Sequence, residues 1–194
     1  MMSDSDSPAI LSYHNTLLLR SDLDLLSAGE WLNDRLIGFA FEYLEFQVLP
    51  SASSACSGQA SPDLASRILL VGPDVAFLLA NMDPDQAAGI LASLDAPSRE
   101  LVLLPVNNNR NVEAAGGSHW SLLVVDCSSQ RLFHIDSAEG SNMSSAKSLA
   151  RILRSVLGIS AKVPVRAMPC PQQHNCTPFD RCVFVLLNAA SKFC

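Results

Sequence analysis

Three strand-like segments followed by one amphipathic helix constrain the fold of this chain most strongly. The segments cover residues 100–106, 118–126 and 131–136, and they carry Val, Leu, Trp and Phe between turn-like stretches. Residues 127–130 are few enough to predict an antiparallel hairpin between the last two. The stretch 144–157 then repeats apolar side chains on one helical face. This order predicts an α+β fold with helices beside a mainly antiparallel sheet.

Helical periodicity also appears before the sheet. Apolar positions recur at helical spacing over residues 33–46, and Asn33 is suited to cap that helix. Two prolines follow Gly72 and Asp83, where a first helical turn accepts a residue without an N–H group. They predict short helices over residues 73–81 and 84–94.

Other segments are less regular. Residues 17–26 suggest an extended or loosely helical lead-in, and residues 162–167 alternate like a further strand. The apolar segment 182–188 fits a buried helix or a strand by pattern alone. Residues 50–63 are rich in Ser, Ala, Gly and Pro, which predicts a flexible surface loop, and we expect residues 1–7 to be disordered.

Composition limits the classes of partner. The 194 residues, of which 48% are hydrophobic, suffice for one domain, which we expect to span residues 8–194. The net charge of -6 argues against a nucleic-acid partner, since phosphate binding needs clustered cations. No apolar run approaches the roughly 20 residues that span a bilayer, so we expect no membrane span. The acidic, Ser-rich start does not resemble a secretion signal, which favours a cytoplasmic or nuclear protein.

The cysteine pattern gives little support to a metal site. Six cysteines include no CxxC pair, and most should be reduced thiols. Cys170, Cys176 and Cys182 surround His174, so zinc is an alternative. Structural zinc ligands usually lie two to four residues apart, however, and we therefore expect neither metal nor cofactor.

His119 and Asp136 are candidates for a catalytic pair. His119 follows Gly116 and Gly117 at the start of a strand, and Asp136 ends the partner strand, so a hairpin would bring them together. A carboxylate that accepts from one imidazole nitrogen leaves the other nitrogen basic. Alternatives remain: His119 as an ordinary sheet histidine, Asp136 as a turn residue, and Asp126 as the orienting carboxylate.

A cysteine is the candidate nucleophile. Cys182 begins an apolar segment, and a helix that starts there would direct its dipole at the sulfur. Gln172 and Gln173 lie upstream and offer a side-chain amide for an oxyanion. The alternative is that Cys182 is a buried structural thiol.

Four motifs in order resemble those of the sentrin-specific (SUMO-protease-like) cysteine protease family. They are Trp31-Leu32-Asn33-Asp34, Gly116-Gly117-Ser118-His119-Trp120-Ser121-Leu122, Phe133-His134-Ile135-Asp136-Ser137 and Pro171-Gln172-Gln173. The lead-in Ile10-Leu11-Ser12-Tyr13, with residues 37–43, is more narrowly similar to the branch that acts on the neddylation modifier.

The resemblance implies a papain-like fold and mechanism. In it His119 is the general base, Asp136 orients it, Gln172 donates to the oxyanion and a cysteine, Cys182, is the nucleophile. The implied partner is a ubiquitin-like modifier, most closely the neddylation modifier, together with conjugates such as cullins.

The resemblance also assigns substrate-binding residues. Trp31 and Trp120 would clamp the Gly-Gly tail of the modifier, because so narrow a slot excludes residues that carry a Cβ atom. Asp34 would contact the bound modifier. The alternative for both tryptophans is ordinary aromatic packing.

The nucleophile region departs from the family pattern. The stretch 172–185 is longer than the family motif, and an ungapped comparison puts Arg181 at the nucleophile position, whereas a shift of one residue restores Cys182. The family also continues beyond the equivalent of Cys194, so we expect a truncated C-terminal part. Two functions follow: an active modifier-specific protease, or a catalytically impaired module that binds the modifier without turnover.

Overall fold

The computed structural model describes residues 7–27, 30, 32–51, 64–109, 111, 117, 119–138 and 140–170. In chain order, the elements are β1 (Ala9–Tyr13), β2 (Thr16–Leu19), α1 (Arg20–Asp24), α2 (Asp34–Tyr43), a π-helical turn (Leu44–Val48), α3 (Leu64–Arg67), β3 (Ile68–Leu70), α4 (Pro73–Ala80), α5 (Pro84–Ser93), a 3-10 turn (Ala96–Ser98), β4 (Leu101–Asn107), β5 (Trp120–Asp126), β6 (Arg131–Ile135), α6 (Met143–Val156) and β7 (Val165–Met168).

A five-stranded sheet is the centre of the fold. Its strand order is β3-β4-β5-β6-β7, in which the two inner pairings are antiparallel and the two outer pairings are parallel. The predicted hairpin is confirmed, with Asp126 opposite Arg131 and Leu122 opposite Ile135. The α+β class is confirmed as well, because helices cover a mixed sheet and β1 and β2 form a separate antiparallel pair.

The sheet has a hydrophobic core on each face because successive side chains of a strand point to opposite sides. Leu104 and Leu123 belong to one cluster, which also contains buried residues of α4, α5 and α6. Leu103 and Leu122, their neighbours in sequence, belong to the other cluster with residues of α2. The two cores hold the strand ends rigidly, and the candidate site lies at those ends.

The predicted helices agree with the structure. Asn33 caps α2 as expected, since its Oδ1 accepts a hydrogen bond from the Leu36 amide. The two proline-initiated helices are α4 and α5, and the amphipathic helix is α6. The expected strand near residues 162–167 is β7, shifted toward the C-terminus. Among the described residues, no helix is both long and apolar enough to cross a bilayer.

The lead-in prediction agrees with the structure, because residues 17–19 are extended within β2 and the short α1 after them is helical. The pairing of β1 with β2 into a β-hairpin over residues 9–19 was not predicted. Its turn sets His14 at φ +47°, a left-handed conformation in which the imidazole stacks on Phe46 with ring centroids 3.6 Å apart. The local sequence lacks the Asn-Gly or Asp-Gly signal of a tight turn, so contacts with distant side chains determine this hairpin.

Three smaller expectations also need correction. Ile68–Leu70, not predicted as a strand, pairs in parallel with β4 at the sheet edge. Pro50 and Ser51, expected in a loop, are helical, and the Ser51 hydroxyl donates to the Gln47 carbonyl. The remainder of that expected loop, residues 52–63, lies outside the described residues. Ser7, expected to be disordered, accepts a hydrogen bond from the Ser21 amide through its hydroxyl oxygen.

Candidate active site

His119 and Asp136 meet at the ends of adjacent strands. His119 directly precedes β5 and Asp136 directly follows β6, so the hairpin register brings the two side chains side by side. The Nε2 atom of His119 lies 2.6 Å from Oδ1 of Asp136. The side chains are only 5% and 4% exposed, respectively. A short, charge-assisted contact in so dry an environment is strong.

Hydrogen bonds from His119, Ala138 and Asn142 stabilise the carboxylate of Asp136. The ring of His119 and the Ala138 amide meet Oδ1, and the Asn142 amide donates to Oδ2 at 3.0 Å. Burial by itself would raise the pKa of Asp136, but the contacts from His119, Asn142 and Ala138 outweigh it and lower the pKa to about 2. The carboxylate is therefore ionised at any physiological pH.

The second ring nitrogen of His119, Nδ1, is buried, and no described residue forms a hydrogen bond with it. Since the ionised carboxylate of Asp136 accepts from Nε2–H, the neutral ring carries its lone pair on Nδ1. Buried nitrogens seldom lack a partner without a functional reason. The geometry thus provides one oriented base whose reactive nitrogen has no described partner.

The structure decides between the sequence alternatives for the carboxylate. Asp126 does not orient His119; its two oxygens accept from the amide and the hydroxyl of Ser129 within the β5–β6 turn. Asp136 combines both interpretations, because it binds His119 and also closes a turn onto the Ala138 amide. His119 is buried rather than half-exposed.

The backbone of His119 is held from two sides. Asn108 donates its amide to the His119 carbonyl and accepts from the His119 amide through its side chain, both at 3.3 Å. The side chain of Asn142 donates to the same carbonyl at 3.1 Å. Gly117 has a φ of +98°, and a Cβ atom there would lie 1.9 Å from Oδ1 of Asn107. The position therefore favours glycine, because any residue with a Cβ atom would overlap the Asn107 side chain.

A second histidine lies behind the pair. His134, 1% exposed, places Nε2 2.9 Å from the Ser121 hydroxyl, which also receives a hydrogen bond from Asn142. Burial lowers the pKa of His134, which keeps this ring neutral. The sequence motifs contained both residues, but their contact was not predicted.

Trp120 connects the site to the start of α2. Its indole Nε1 donates to the Leu32 carbonyl at 3.1 Å, across 88 positions of sequence. Asp34 lies in the first turn of α2 and is exposed, as a contact residue for a partner must be. Trp120 also borders a cavity of about 290 Å³, whose described lining includes Asn107 and Asn109.

Several predicted site residues lie outside the described part of the chain. They are Trp31, Gln172, Gln173, His174, Cys176, Arg181 and Cys182. Cys170 is described, and its thiol donates to the Asp136 carbonyl with Sγ 3.2 Å away. The chain therefore contacts Asp136 at a position two residues before Gln172 in the sequence. Within the described residues no group of three or more metal-ligating side chains exists.

Asn142 was missed by sequence reasoning. It is fully buried and contacts both His119 and Asp136. The available signal was an asparagine immediately before an amphipathic helix, which sequence rules interpret as a helix cap. Its role in the site depends on contacts with other segments, which no local pattern contains.

Comparisons with known proteins give consistent results. Sentrin-specific protease 8 of Rattus norvegicus is 37% identical over 183 residues, covering 93% of this chain and 77% of that protein. NEDD8-specific protease 1 of Arabidopsis thaliana is 36% identical over 191 residues, covering 97% of this chain and 77% of the relative. No family model matches the chain.

Solved structures agree on the fold. The C-terminal Ulp1 protease domain, solved in complex with Smt3, the yeast ortholog of SUMO, has a TM-score of 0.70 at 17% identity, covering 96% of this chain and 78% of that one. The effector XopD of Xanthomonas campestris, bound to ubiquitin, has a TM-score of 0.56 at 21% identity, with 97% and 79% covered. At these identities the likeness concerns the fold alone.

Proposed function

The chain belongs to the family of sentrin-specific and NEDD8-specific cysteine proteases, and from this premise we propose that it cleaves after the C-terminal Gly-Gly of a ubiquitin-like modifier. NEDD8 is the favoured modifier, because relatives of more than 35% identity include a NEDD8-specific protease. The bond would be the isopeptide bond of a conjugate, the peptide bond of a precursor, or both.

One observation carries this proposal. His119 holds Asp136 through Nε2 at 2.6 Å and keeps Nδ1 without a partner among the described residues. An imidazole oriented in this way takes a proton from a thiol and later returns it to a leaving amine. His134 also has a buried Nδ1 without a described partner, but its Nε2 faces the Ser121 hydroxyl and not a carboxylate. The contact with the ionised Asp136 therefore distinguishes His119 as the oriented base.

The proposed reaction begins at Cys182. Its thiol transfers a proton to Nδ1 of His119, and the thiolate attacks the carbonyl carbon of the terminal glycine. Gln172 donates a hydrogen bond to the resulting oxyanion. Collapse breaks the C–N bond, the amine leaves with the proton from His119, and a thioester remains. Water, deprotonated by His119, then hydrolyses the thioester, which frees the modifier carboxylate and the thiol.

Substrate recognition would involve the segment around Trp120. Its indole hydrogen bond to the Leu32 carbonyl fixes the tryptophan near the start of α2, where Asp34 lies. We propose that Trp31 and Trp120 clamp the Gly-Gly tail, where a Cβ atom would not fit, and that Asp34 contacts the modifier surface. The cavity beside Trp120 is lined by apolar, serine and asparagine residues, with no charged residue among the described ones, and it would therefore suit an uncharged peptide.

The proposal extends to partners and location. The natural substrates would be NEDD8 conjugates such as cullins, and the protein would act in the cytoplasm, the nucleus or both. The reaction needs no metal or cofactor, since thiol, imidazole and amide groups supply all of its steps. A single domain over residues 8–194 would contain the whole site.

The sequence of the nucleophile region favours a second candidate. Arg181 occupies the nucleophile position in an ungapped comparison with the family motif, so Cys182 would then be one residue out of place. On a helix one residue is about 100° of rotation, enough to turn a thiol away from its base. In that case the chain would bind the modifier without cleaving it.

Covalent labelling separates the two candidates. NEDD8 with a C-terminal vinyl sulfone should form a stoichiometric adduct with the parent protein, mapped to Cys182 by peptide mass spectrometry. Cys182→Ala and His119→Ala should abolish the adduct. Cys170→Ser and Cys176→Ser provide matched controls that should retain it. The same probe built on SUMO and on ubiquitin measures the preference among modifiers.

The opposite results are equally informative. Binding of unmodified NEDD8 without any adduct, and unchanged in Cys182→Ala, would establish the binding module. An adduct on Cys176 instead of Cys182 would assign the nucleophile to another thiol. Faster labelling by the SUMO probe than by the NEDD8 probe would overturn the modifier assignment.

A further inference from the structure

Asn142 stands where a helix cap belongs, yet its side chain does not cap. It immediately precedes α6, and no hydrogen bond joins its side chain to the first turn of that helix. Asn33, at the same position before α2, does cap, with Oδ1 3.0 Å from the Leu36 amide. Asn142 therefore forgoes the stabilising contact that asparagine usually makes at this position.

The amide of Asn142 points to the strand ends instead. Its Nδ2 lies 3.1 Å from the His119 carbonyl, 3.1 Å from the Ser121 hydroxyl and 2.9 Å from the Val106 carbonyl. The residue is 0% exposed, and its Oδ1 has no hydrogen-bond partner among the described residues. Burying an amide with one end unbonded is unfavourable, so the donor end must provide the benefit.

The main chain of Asn142 contacts the other half of the pair. Its backbone N–H donates to Oδ2 of Asp136 at 3.0 Å. One residue at the start of α6 thus holds the carboxylate through its main chain and the histidine through its side chain. Because α6 packs in the larger core, both contacts are anchored to the same rigidly held helix start.

We propose that Asn142 is a positioning residue for the His119–Asp136 pair, an inference that rests on the proposed function. Its side chain fixes the His119 backbone, and its backbone fixes the Asp136 carboxylate. The imidazole is then held between its own backbone and the Asp136 carboxylate, and Asn142 sets the distance between these two groups. Asn142 touches neither thiol nor modifier in this scheme and acts only through His119 and Asp136.

Substitution separates the two contacts. Asn142→Ala removes the side-chain donor but keeps the backbone N–H that binds Asp136. The carboxylate therefore stays in place while the His119 backbone loses one of its supports. A misplacement of about 1 Å reduces turnover by roughly a hundredfold. We expect kcat to fall about ten- to a hundredfold and KM for NEDD8 to change by less than about twofold.

A second readout does not depend on turnover. Exchange of the His119 Nε2–H proton with solvent, followed by NMR, reports how firmly the ring is held against Asp136. We expect this exchange to be at least about fivefold faster in Asn142→Ala. If the parent protein does not cleave NEDD8, the proposed function fails, and the exchange rate still decides the role of Asn142.

Ile152→Ala is the matched control. Ile152 lies in the same helix, is 1% exposed and has no polar side-chain group that could bond either member of the pair. At a similar loss of thermal stability, it should leave kcat and the exchange rate near those of the parent. Asn142→Ser, which keeps a shorter donor, supplies the same comparison with an intermediate effect if the alanine variant does not fold.

The inference is wrong if Asn142→Ala and Ile152→Ala lower kcat equally at equal stability. It is also wrong if Asn142→Ala raises only KM, or if the Nε2–H exchange rate is unchanged. A fall in kcat together with faster exchange, confined to the Asn142 variants, supports it.

Discussion

The Nε2 atom of His119 lies 2.6 Å from the carboxylate of Asp136, with both side chains almost completely buried. This contact orients the ring and leaves Nδ1 as the basic nitrogen. It joins two residues 17 positions apart that one hairpin brings together. Its effects on catalytic activity and on stability in acid can be measured in separate experiments.

Asp136→Asn should lower kcat for NEDD8 cleavage by about 10³–10⁴-fold, because an amide favours the wrong tautomer of the ring and does not stabilise its charged form. KM should change little. Asp126→Asn is the matched control, since that carboxylate bonds only within a turn and should leave kcat within about twofold. A comparable loss in both variants would contradict the role of Asp136.

Acid should remove the stability that Asp136 contributes. Its carboxyl pKa is 3.8 unperturbed and about 2 in the fold, so between these values the unfolded chain binds more protons. The contribution, about 2 kcal/mol by linkage, is complete above pH 4 and is lost as the pH falls through 2. Urea unfolding of the parent and Asp136→Asn over this range measures it. A constant difference between the two proteins would refute it.

His134 should act in a different pH range. Burial lowers its pKa below 6.5, so the folded chain resists a proton that the unfolded chain accepts. The contribution of neutral His134 to the free energy of unfolding is therefore fully present above pH 6.5 and is lost as the pH falls below it. His134→Gln, which cannot be protonated, should flatten this decline in urea titrations between pH 7 and 5. The same slope in parent and variant would exclude His134 as its source.

Gly117→Ala should destabilise the protein by about 1–3 kcal/mol, because φ is +98° and the new Cβ atom would overlap the Asn107 side chain. Turnover should fall too, since the strain lies two residues before His119. Gly89→Ala is the control: Gly89 lies within α5 with nothing within 4 Å of a Cβ atom, so stability should rise by about 0.5–1 kcal/mol. Thermal melts test whether the melting temperature falls in Gly117→Ala and rises in Gly89→Ala. A Gly117→Ala protein as stable as the parent would contradict the predicted overlap with the Asn107 side chain.

Asp22 should support the substrate clamp from a distance. Its buried carboxylate accepts from the Leu19 amide, from Nδ2 of Asn33 at 2.6 Å and from the Arg35 guanidinium. Asn33 follows Leu32, whose carbonyl holds Trp120. Asp22→Ala should therefore raise KM for NEDD8 several-fold with kcat nearly unchanged, and lower stability by about 1–3 kcal/mol.

Asp24→Ala is the matched control for this prediction. Asp24 is exposed in the same short helix and should affect neither quantity. Steady-state kinetics of the two variants test the difference. A fall in kcat at constant KM for Asp22→Ala would place its effect on the catalytic pair and not on the clamp.

Local sequence determined a large part of this protein. The helices α2 and α6 follow from apolar periodicity, and α4 and α5 follow from a proline at the first helical position. The β5–β6 hairpin follows from strand-like segments joined by a short turn. The contact between His119 and Asp136 was predictable because the hairpin that creates it is itself local. Alternation along a strand also assigns each side chain to a face without knowledge of the neighbouring strands.

Only the tertiary structure decided the rest. The parallel pairings of the edge strands β3 and β7, the indole contact of Trp120 with Leu32 and the inward amide of Asn142 join segments that are distant in sequence or depend on helix packing. Periodicity specifies which way a side chain points, but not what another segment brings against it. The competition between capping a helix and bonding a histidine is settled by the three acceptors that packing brings to Asn142.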